Sequence, residues 1–521
     1  MRTSARIALN AVSRWIGLGV SVVVGIVIVP IMLYQFGKDG YGLLGICSSL
    51  LALRTLLDFG LRAAVTRQLA AASAAGDHEQ FNNLVNSALV LYLLFGGAAA
   101  LACWFLAPMI VTWLKVPFAL LDKGVFLIRF YAGPSFFLVF VTAPVSSVLT
   151  SNDRFDLLNY IDAGTQVLRA TGVLLVLTVT PWGFYGWAGA ELFASFVNLL
   201  LVAFVAFRVG IPLKINLRRA RLGTLPLRTS AHLFLLSIND QISMSSDNFV
   251  LSYFLGPAAV GLYEPARLLS RRLRPLIDSV KDQLHPLATR RFTEGRIGQL
   301  QAILIEGTKY RLLMGIGACL GLGIYAPHMV KVWLGGSLGK AELHTVSSIM
   351  ILWAATDFFT YAGGSQWPVL FGMKEFAFLV RLGLPLSVLN LAASVLLVGF
   401  TDVGVTGVVI PTLCMEICRV AVTYWYCCRC LAISVLHYFR EAYIRPLIVL
   451  ITLGAVAEAT RHILNPDTIA LLVVSATICA FAWMLLCWFV GLRSADRKQI
   501  LALLYGADRR RHGVKSVYAA N

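Results

Sequence analysis

The sequence predicts an all-α membrane protein of about fourteen transmembrane helices, two parallel-repeat six-helix lobes followed by two further helices. Three observations carry this. Of 521 residues, 58% are hydrophobic and 13% charged, with a mean hydropathy of +0.77; soluble domains hold about 25% charged and about 45–50% apolar residues. The apolar residues fall in runs of about 20, the length a helix needs to cross a bilayer. The chain also matches itself at a nearly constant offset. A soluble enzyme, a disordered chain and a disulfide-stapled secreted scaffold are thereby excluded. Lipid offers open strand edges no partner, so runs of this length must be helices.

Runs bounded by charge, Gly or Pro place the first six spans near 12–36, 41–63, 84–107, 124–149, 159–180 and 184–207. The next six lie near 231–255, 259–285, 304–334, 342–372, 375–400 and 404–430, and the last two near 441–463 and 467–492. The first run, Trp15 to Leu33, is long enough to span and lacks a small-residue cleavage site, so it reads as a helix rather than a signal peptide. The expected organisation is an N-lobe at 1–210, a basic linker at 211–230, a C-lobe at 231–430, helices 13 and 14 at 431–492 and a basic tail at 493–521.

The net charge of +18 would suggest nucleic acid in a soluble protein. In a polytopic chain it reads as Lys and Arg held in cytoplasmic loops, and no nucleic-acid partner is expected. Arg208, Lys214, Arg218, Arg219, Arg221 and Arg228 cluster in one loop, and Arg493, Arg497, Lys498, Arg509, Arg510, Arg511 and Lys515 in the tail. Both termini are therefore expected in the cytoplasm. The opposite side carries only short loops, leaving no room for an outer catalytic domain.

The self-match runs at an offset of 219 to 221 residues. Tyr34-x-x-Gly37 aligns with Tyr253-x-x-Gly256, Gly42 with Gly261, and Gly76-x-x-x-Gln80 with Gly295-x-x-x-Gln299. Ala107-Pro108 aligns with Ala326-Pro327, and Gly183-x-x-Gly186 with Gly404-x-x-Gly407. The shift carries span 1 onto span 7. Six is even, so both halves share one orientation, as in parallel-repeat transporters.

Phe36-Gly-Lys-Asp-Gly-Tyr-Gly-Leu-Leu-Gly45, Leu57-Asp-Phe-Gly-Leu61, Arg67 and Gly76-Asp77 resemble the opening of bacterial polysaccharide flippases of the Wzx type. Tyr253-Phe-Leu-Gly-Pro-Ala-Ala-Val-Gly-Leu-Tyr263 resembles their seventh and eighth helices. These flippases belong to the multidrug/oligosaccharidyl-lipid/polysaccharide exporter (MOP) superfamily. The resemblance implies twelve core helices, often fourteen in all, both ends cytoplasmic, in the bacterial inner membrane. It also implies an activity: carrying undecaprenyl-diphosphate-linked oligosaccharide to the outer leaflet. Implied partners are that polyprenyl-diphosphate-linked glycan, membrane lipids and the polysaccharide polymerase machinery.

Ionisable residues within spans are costly and usually functional. In span 8, Glu264, Arg267, Arg271, Arg274 and Asp278 form one helical stripe. Planar guanidinium forks suit diphosphate oxygens, so Arg267, Arg271 and Arg274, with Arg14 of span 1 and Arg54 of span 2, are the candidate diphosphate-binding residues. Arg271 leads, having no acid one turn away. The alternative is a structural ladder in which Glu264 and Asp278 pair with the flanking arginines. Arg54 and Asp58 are equally readable as a neutralising pair, and Asp162, Gln166 and Arg169 as another. Span 7 is the most polar, and its Asp240 and Asp247 are the candidate ion-coupling residues. Glu191, Asp357, Glu416 and Glu458 stand alone in their helices, either protonated and hydrogen-bonded or carrying coupling protons.

No phosphate-cradling Gly-x-x-x-x-Gly-Lys-Ser/Thr loop, His-Glu-x-x-His or nucleophile elbow appears. No catalytic residue, metal site or cofactor is expected. The cluster Cys414, Cys418, Cys427, Cys428 and Cys430 reads as buried apolar thiols rather than as metal ligands. The competing functions are a peptidoglycan-precursor flippase and a multidrug/cation antiporter of the same superfamily. A membrane glycan polymerase or ligase would need the large outer loop that is missing.

Overall fold

The computed structural model describes residues 2–208, 214–216, 246–494 and 496–498, with side chains from residue 17 onward except at 280 and 282. Among the described residues helix is the sole regular secondary structure, joined by short turns and loops, with no strand. The helices are α1 (Arg2–Ala52), α2 (Arg54–Leu57), α3 (Leu61–Ala75), α4 (His78–Trp113), α5 (Leu121–Phe126), α6 (Gly133–Ser151), α7 (Phe155–Val179) and α8 (Gly183–Arg208). They continue as α9 (246–255), α10 (Pro257–Thr293), α11 (Ile297–Ile324), α12 (Ala326–Leu334), α13 (Lys340–Ala362), α14 (Gln366–Gly372), α15 (Phe376–Phe400) and α16 (Val409–Cys430). The last are α17 (Val435–Ala442), α18 (Ile444–Leu464) and α19 (Ile469–Leu486).

Among the described residues, eight helices are long and apolar enough to cross a membrane, and the pair α11–α12, bent by 64°, makes a ninth. The remaining expected spans are helical where described but carry more charge. The element order is compatible with about fourteen spans. α1 merges the first two across Gly37, whose φ of 65° and ψ of 177° interrupt the helix. A π-helical turn, Leu127–Ala132, joins α5 to α6 within span 4.

Several helices outrun the bilayer. α4 has 36 residues and α10 has 37, so at about 1.5 Å per residue each is about 55 Å long. α4 starts cleanly because the Asp77 side chain accepts a hydrogen bond from the Gln80 N–H at 2.8 Å. α10 starts on Pro257, whose missing N–H would be unsatisfied there in any case.

The chain divides into two compact units, each discontinuous in sequence. The first comprises Met1–Leu276, Trp333–Trp353 and Ala377–Met415. Within it α4 packs on α6, α7 on α8 and α1, and α6 on α8. The second comprises Ile277–Val332, Ala354–Phe376 and Glu416–Asn521, and in it α11 packs on α18, α14, α17 and α19. Arg311 is the keystone of that unit. Its guanidinium donates to the carbonyls of Thr360 (3.1 Å) and Gly364 (2.9 Å) and pairs with Asp278 at 2.5 Å. It thereby satisfies carbonyls freed where α13 ends.

In the first unit, the second limb of α1 crosses α10 at two glycines. A Cβ on Gly42 would lie 1.8 Å from the Pro257 oxygen, and one on Gly261 would lie 2.0 Å from the Lys38 oxygen. These two glycines are the aligned pair of the internal repeat. Sites equivalent by sequence therefore meet in space.

Candidate binding site

Around the stripe of α10, Asp247 and Asn248 of α9, Ser21 and Ser49 of α1 and Trp353 of α13 converge on the arginines. Arg267 is caged. Its side chain is 7% exposed, with Nη1 3.7 Å from Asp247 Oδ2. It donates to the Tyr263 hydroxyl at 3.3 Å and lies over the Trp353 ring at 4.6 Å. The Tyr263 hydroxyl in turn donates to Asp247. Each member fixes the next, and desolvation strengthens the cation–π contact.

Arg271 is different. Its Nη2 donates to Glu264 Oε2 at 3.0 Å, yet its side chain is 48% exposed. Glu264, buried, also accepts from Asn248 Nδ2 at 2.6 Å, and the same amide reaches Ser49 Oγ at 2.7 Å. Gly45 of α1 leaves room for this carboxylate: a Cβ there would lie 3.1 Å from Glu264 Cγ. Arg274 follows one turn further on, half-buried.

The expected ladder is realised with other partners. Glu264 pairs with Arg271, two turns away, rather than with Arg267. Asp278 pairs with Arg311 of α11. The Arg54–Asp58 pair does not form: Asp58 accepts the Tyr92 hydroxyl and the Arg62 N–H, while Arg54 is exposed with no acidic partner among the described residues. Asp162 accepts from Asn198 at 3.2 Å, and Arg169 instead pairs at 3.1 Å with Glu191, which is therefore not alone. Glu416 pairs with Arg419 at 2.5 Å and Glu458 with Arg461. Glu416 and Glu458 therefore do not stand alone either, each having an arginine three residues on along its own helix. For Asp278, Asp58, Asp162 and Arg169 a neighbouring helix supplies the partner, which helix-wise spacing cannot name.

Asp247 is buried at 1% exposure, and its Oδ1 has no hydrogen-bond partner among the described residues. Asp240 lies outside the described residues, as does the Arg14 side chain. Sequence reasoning also misses Arg272, one residue off the stripe, which donates to Ser21 Oγ. Its signal was the polar face Asn10, Arg14, Gly17 and Ser21 of α1, which requires a partner. Of the cysteine cluster, Cys427 and Cys428 are buried and Cys414 and Cys418 exposed. Among the described residues no three metal-ligating side chains converge.

Comparisons with known proteins sharpen the reading. The family described as "Polysaccharide biosynthesis protein" matches residues 10–274. No curated protein matches the chain. Among solved structures, an inward-facing multidrug resistance MATE family transporter of the MOP superfamily aligns at a TM-score of 0.70 with 14% identity, over 80% of this chain and 98% of that one. The lipid II flippase MurJ, inward closed, aligns at 0.67 with 14% identity, over 92% and 97%. A MOP superfamily transporter from Pyrococcus furiosus aligns at 0.61 with 15% identity, over 82% and 95%. At these identities the likeness is one of fold. The chain belongs to the polysaccharide biosynthesis protein family and has the fold of the MOP-superfamily transporters.

Proposed function

We propose that the protein is a flippase carrying undecaprenyl-diphosphate-linked oligosaccharide from the inner to the outer leaflet of the bacterial cytoplasmic membrane, by alternating access of its two repeat halves. Both termini are cytoplasmic in this reading, and the polysaccharide polymerase machinery receives the product. The observation that carries it is Arg271, a half-exposed guanidinium inside a span, held by Glu264 through one nitrogen and leaving its other donors for an anion. Arg267 acts from behind as fixed positive charge, with Arg274, Arg54 and Arg14 completing the set. The family match supports the polysaccharide assignment.

A cargo with about two negative charges gains about 4.6 kcal/mol per 100 mV on moving outward across a membrane that is negative inside. The potential can therefore bias export. Asp247, with one buried oxygen unpartnered among the described residues, is the candidate for any coupled proton or Na⁺, together with Asp240. Asp247→Asn and Asp240→Asn test this by the pH and Na⁺ dependence of transport in vesicles.

The decisive experiment is glycan export by Arg271 variants at matched expression. Arg271→Lys keeps charge but loses the fork and lowers export; Arg271→Ala lowers it further. Full export by Arg271→Ala overturns the assignment. A peptidoglycan-precursor flippase also carries a diphosphate, so vesicles loaded with that precursor decide between the two cargoes. A cation antiporter is disfavoured because arginines outnumber carboxylates around α10.

A further inference from the structure

We propose that a second lipid site lies on the bilayer-facing side of α4, α6 and α8, with Arg129 binding the phosphate of an anionic phospholipid whose chain fills the adjoining groove. The groove has a volume of about 600 Å³ and is lined by Trp104, Phe130, Phe137, Phe193 and Phe196 around Arg129. That volume falls within the roughly 300–1,000 Å³ usual for ligand sites. Trp104, Phe193 and Phe196 are 42%, 59% and 49% exposed, so the groove opens outward, where a spanning helix meets lipid.

Arg129 stands eight residues into the span that starts at Leu121, about 12 Å along the helix. It sits in the π-helical turn Leu127–Ala132, a distortion frequent at functional sites. One part of its role is structural. Pro108 of α4 lacks an N–H, so the Trp104 carbonyl one turn earlier has no intrahelical donor. Arg129 Nε donates to that carbonyl at 2.9 Å, and the guanidinium lies 5.4 Å from the centre of the Trp104 ring.

This accounts for one nitrogen. Among the described residues Nη1 and Nη2 have no hydrogen-bond partner, and no acidic side chain pairs with the charge. A positive charge inside a span requires compensation. One uncompensated guanidinium matches the single charge of a phosphodiester; a polyprenyl diphosphate brings about two. The arginine end is within snorkelling reach of headgroup phosphates, and the aromatic walls accept the chain.

The test uses the full-length protein in phosphatidylcholine nanodiscs containing a photo-crosslinkable phosphatidylglycerol. Labelled peptides from α4, α6 and α8 are expected. Arg129→Gln should cut that labelling about tenfold, the value of one charge-assisted hydrogen bond, and Arg129→Lys should retain part of it. Ala100→Trp, at another position lining the groove, narrows it while leaving the Arg129 charge in place and should also abolish labelling, which decides the matter if Arg129→Gln fails to fold. Equal labelling by a neutral phosphatidylcholine probe overturns the proposal, as does unchanged labelling in Arg129→Gln or Ala100→Trp. Displacement of the probe by undecaprenyl diphosphate at lower concentration than by phosphatidylglycerol also overturns it, assigning the groove to the cargo chain.

Discussion

Gly42→Ala tests whether the α1–α10 crossing is as tight as its geometry demands. The new methyl would sit 1.8 Å from the Pro257 oxygen, about 1.6 Å short of the 3.4 Å at which ordinary contact begins. The obstacle is backbone, and Gly261 N lies only 2.9 Å away, so no side-chain rotation relieves the clash. The helices must separate, at a cost near the upper end of the roughly 1–3 kcal/mol typical of overpacking. Alanine otherwise favours a helix over glycine by about 1 kcal/mol. Gly19→Ala, where nothing among the described residues lies within 4 Å, is therefore the control and should be neutral or stabilising. Thermal unfolding of both variants in the same nanodiscs measures the difference. A Gly42→Ala protein as stable as Gly19→Ala refutes the crossing, and with it the meeting of repeat-related glycines.

Arg267→Ala should destabilise by about 3–5 kcal/mol because it leaves Asp247 buried without its cation, and adding Asp247→Asn should recover at least half of that loss in the same unfolding assay. Asp467, in the loop before α19, is held below its ordinary value near 3.8 by the Lys331 ammonium at 2.7 Å and by His328 at 3.2 Å. Its folded pKa is depressed, so this stabilisation is present above about pH 4 and lost as pH falls through the lowered value. Asp467→Asn should accordingly melt below wild type at about pH 6, with the difference closing in more acidic buffer. In a cysteine-free background, single cysteines at Gly336 and Asn465 should react with an impermeant thiol reagent from outside and those at Arg218, Arg296 and Lys498 should not; the reverse pattern would invert the proposed orientation.

The span pattern was legible because a bilayer imposes a local rule: each crossing segment must be apolar for about 20 residues and satisfy its own backbone. No knowledge of neighbours is needed, and α4, α8, α15, α18 and α19 appear close to where hydropathy places them. The break at Gly37 and the start of α10 at Pro257 are equally local, set by glycine and proline backbone chemistry. The repeat marked Gly42 and Gly261 as equivalent. Only the folded chain shows that they touch.

The charges obey a different rule. Glu264 could be placed on the face of Arg267 and Arg271 from helical spacing, but its carboxylate is also held by Asn248 of α9, whose amide is in turn anchored on Ser49 of α1. Arg169 turns to Glu191 across α7 and α8, and Asp278 to Arg311 on α11. Lys309 and Arg311 lie in a stretch that reads simply as an apolar span, yet both are buried and paired, Lys309 with Asp496 at 2.8 Å. Coulomb attraction and desolvation act through space, over a few ångströms, between helices far apart in sequence. The sequence by itself therefore determined which segments are helical and apolar enough to cross a membrane and which residues carry charge within the helices. Tertiary packing alone decided which of those charges are consumed in the scaffold and which, like Arg271 and Arg129, keep donors to spare.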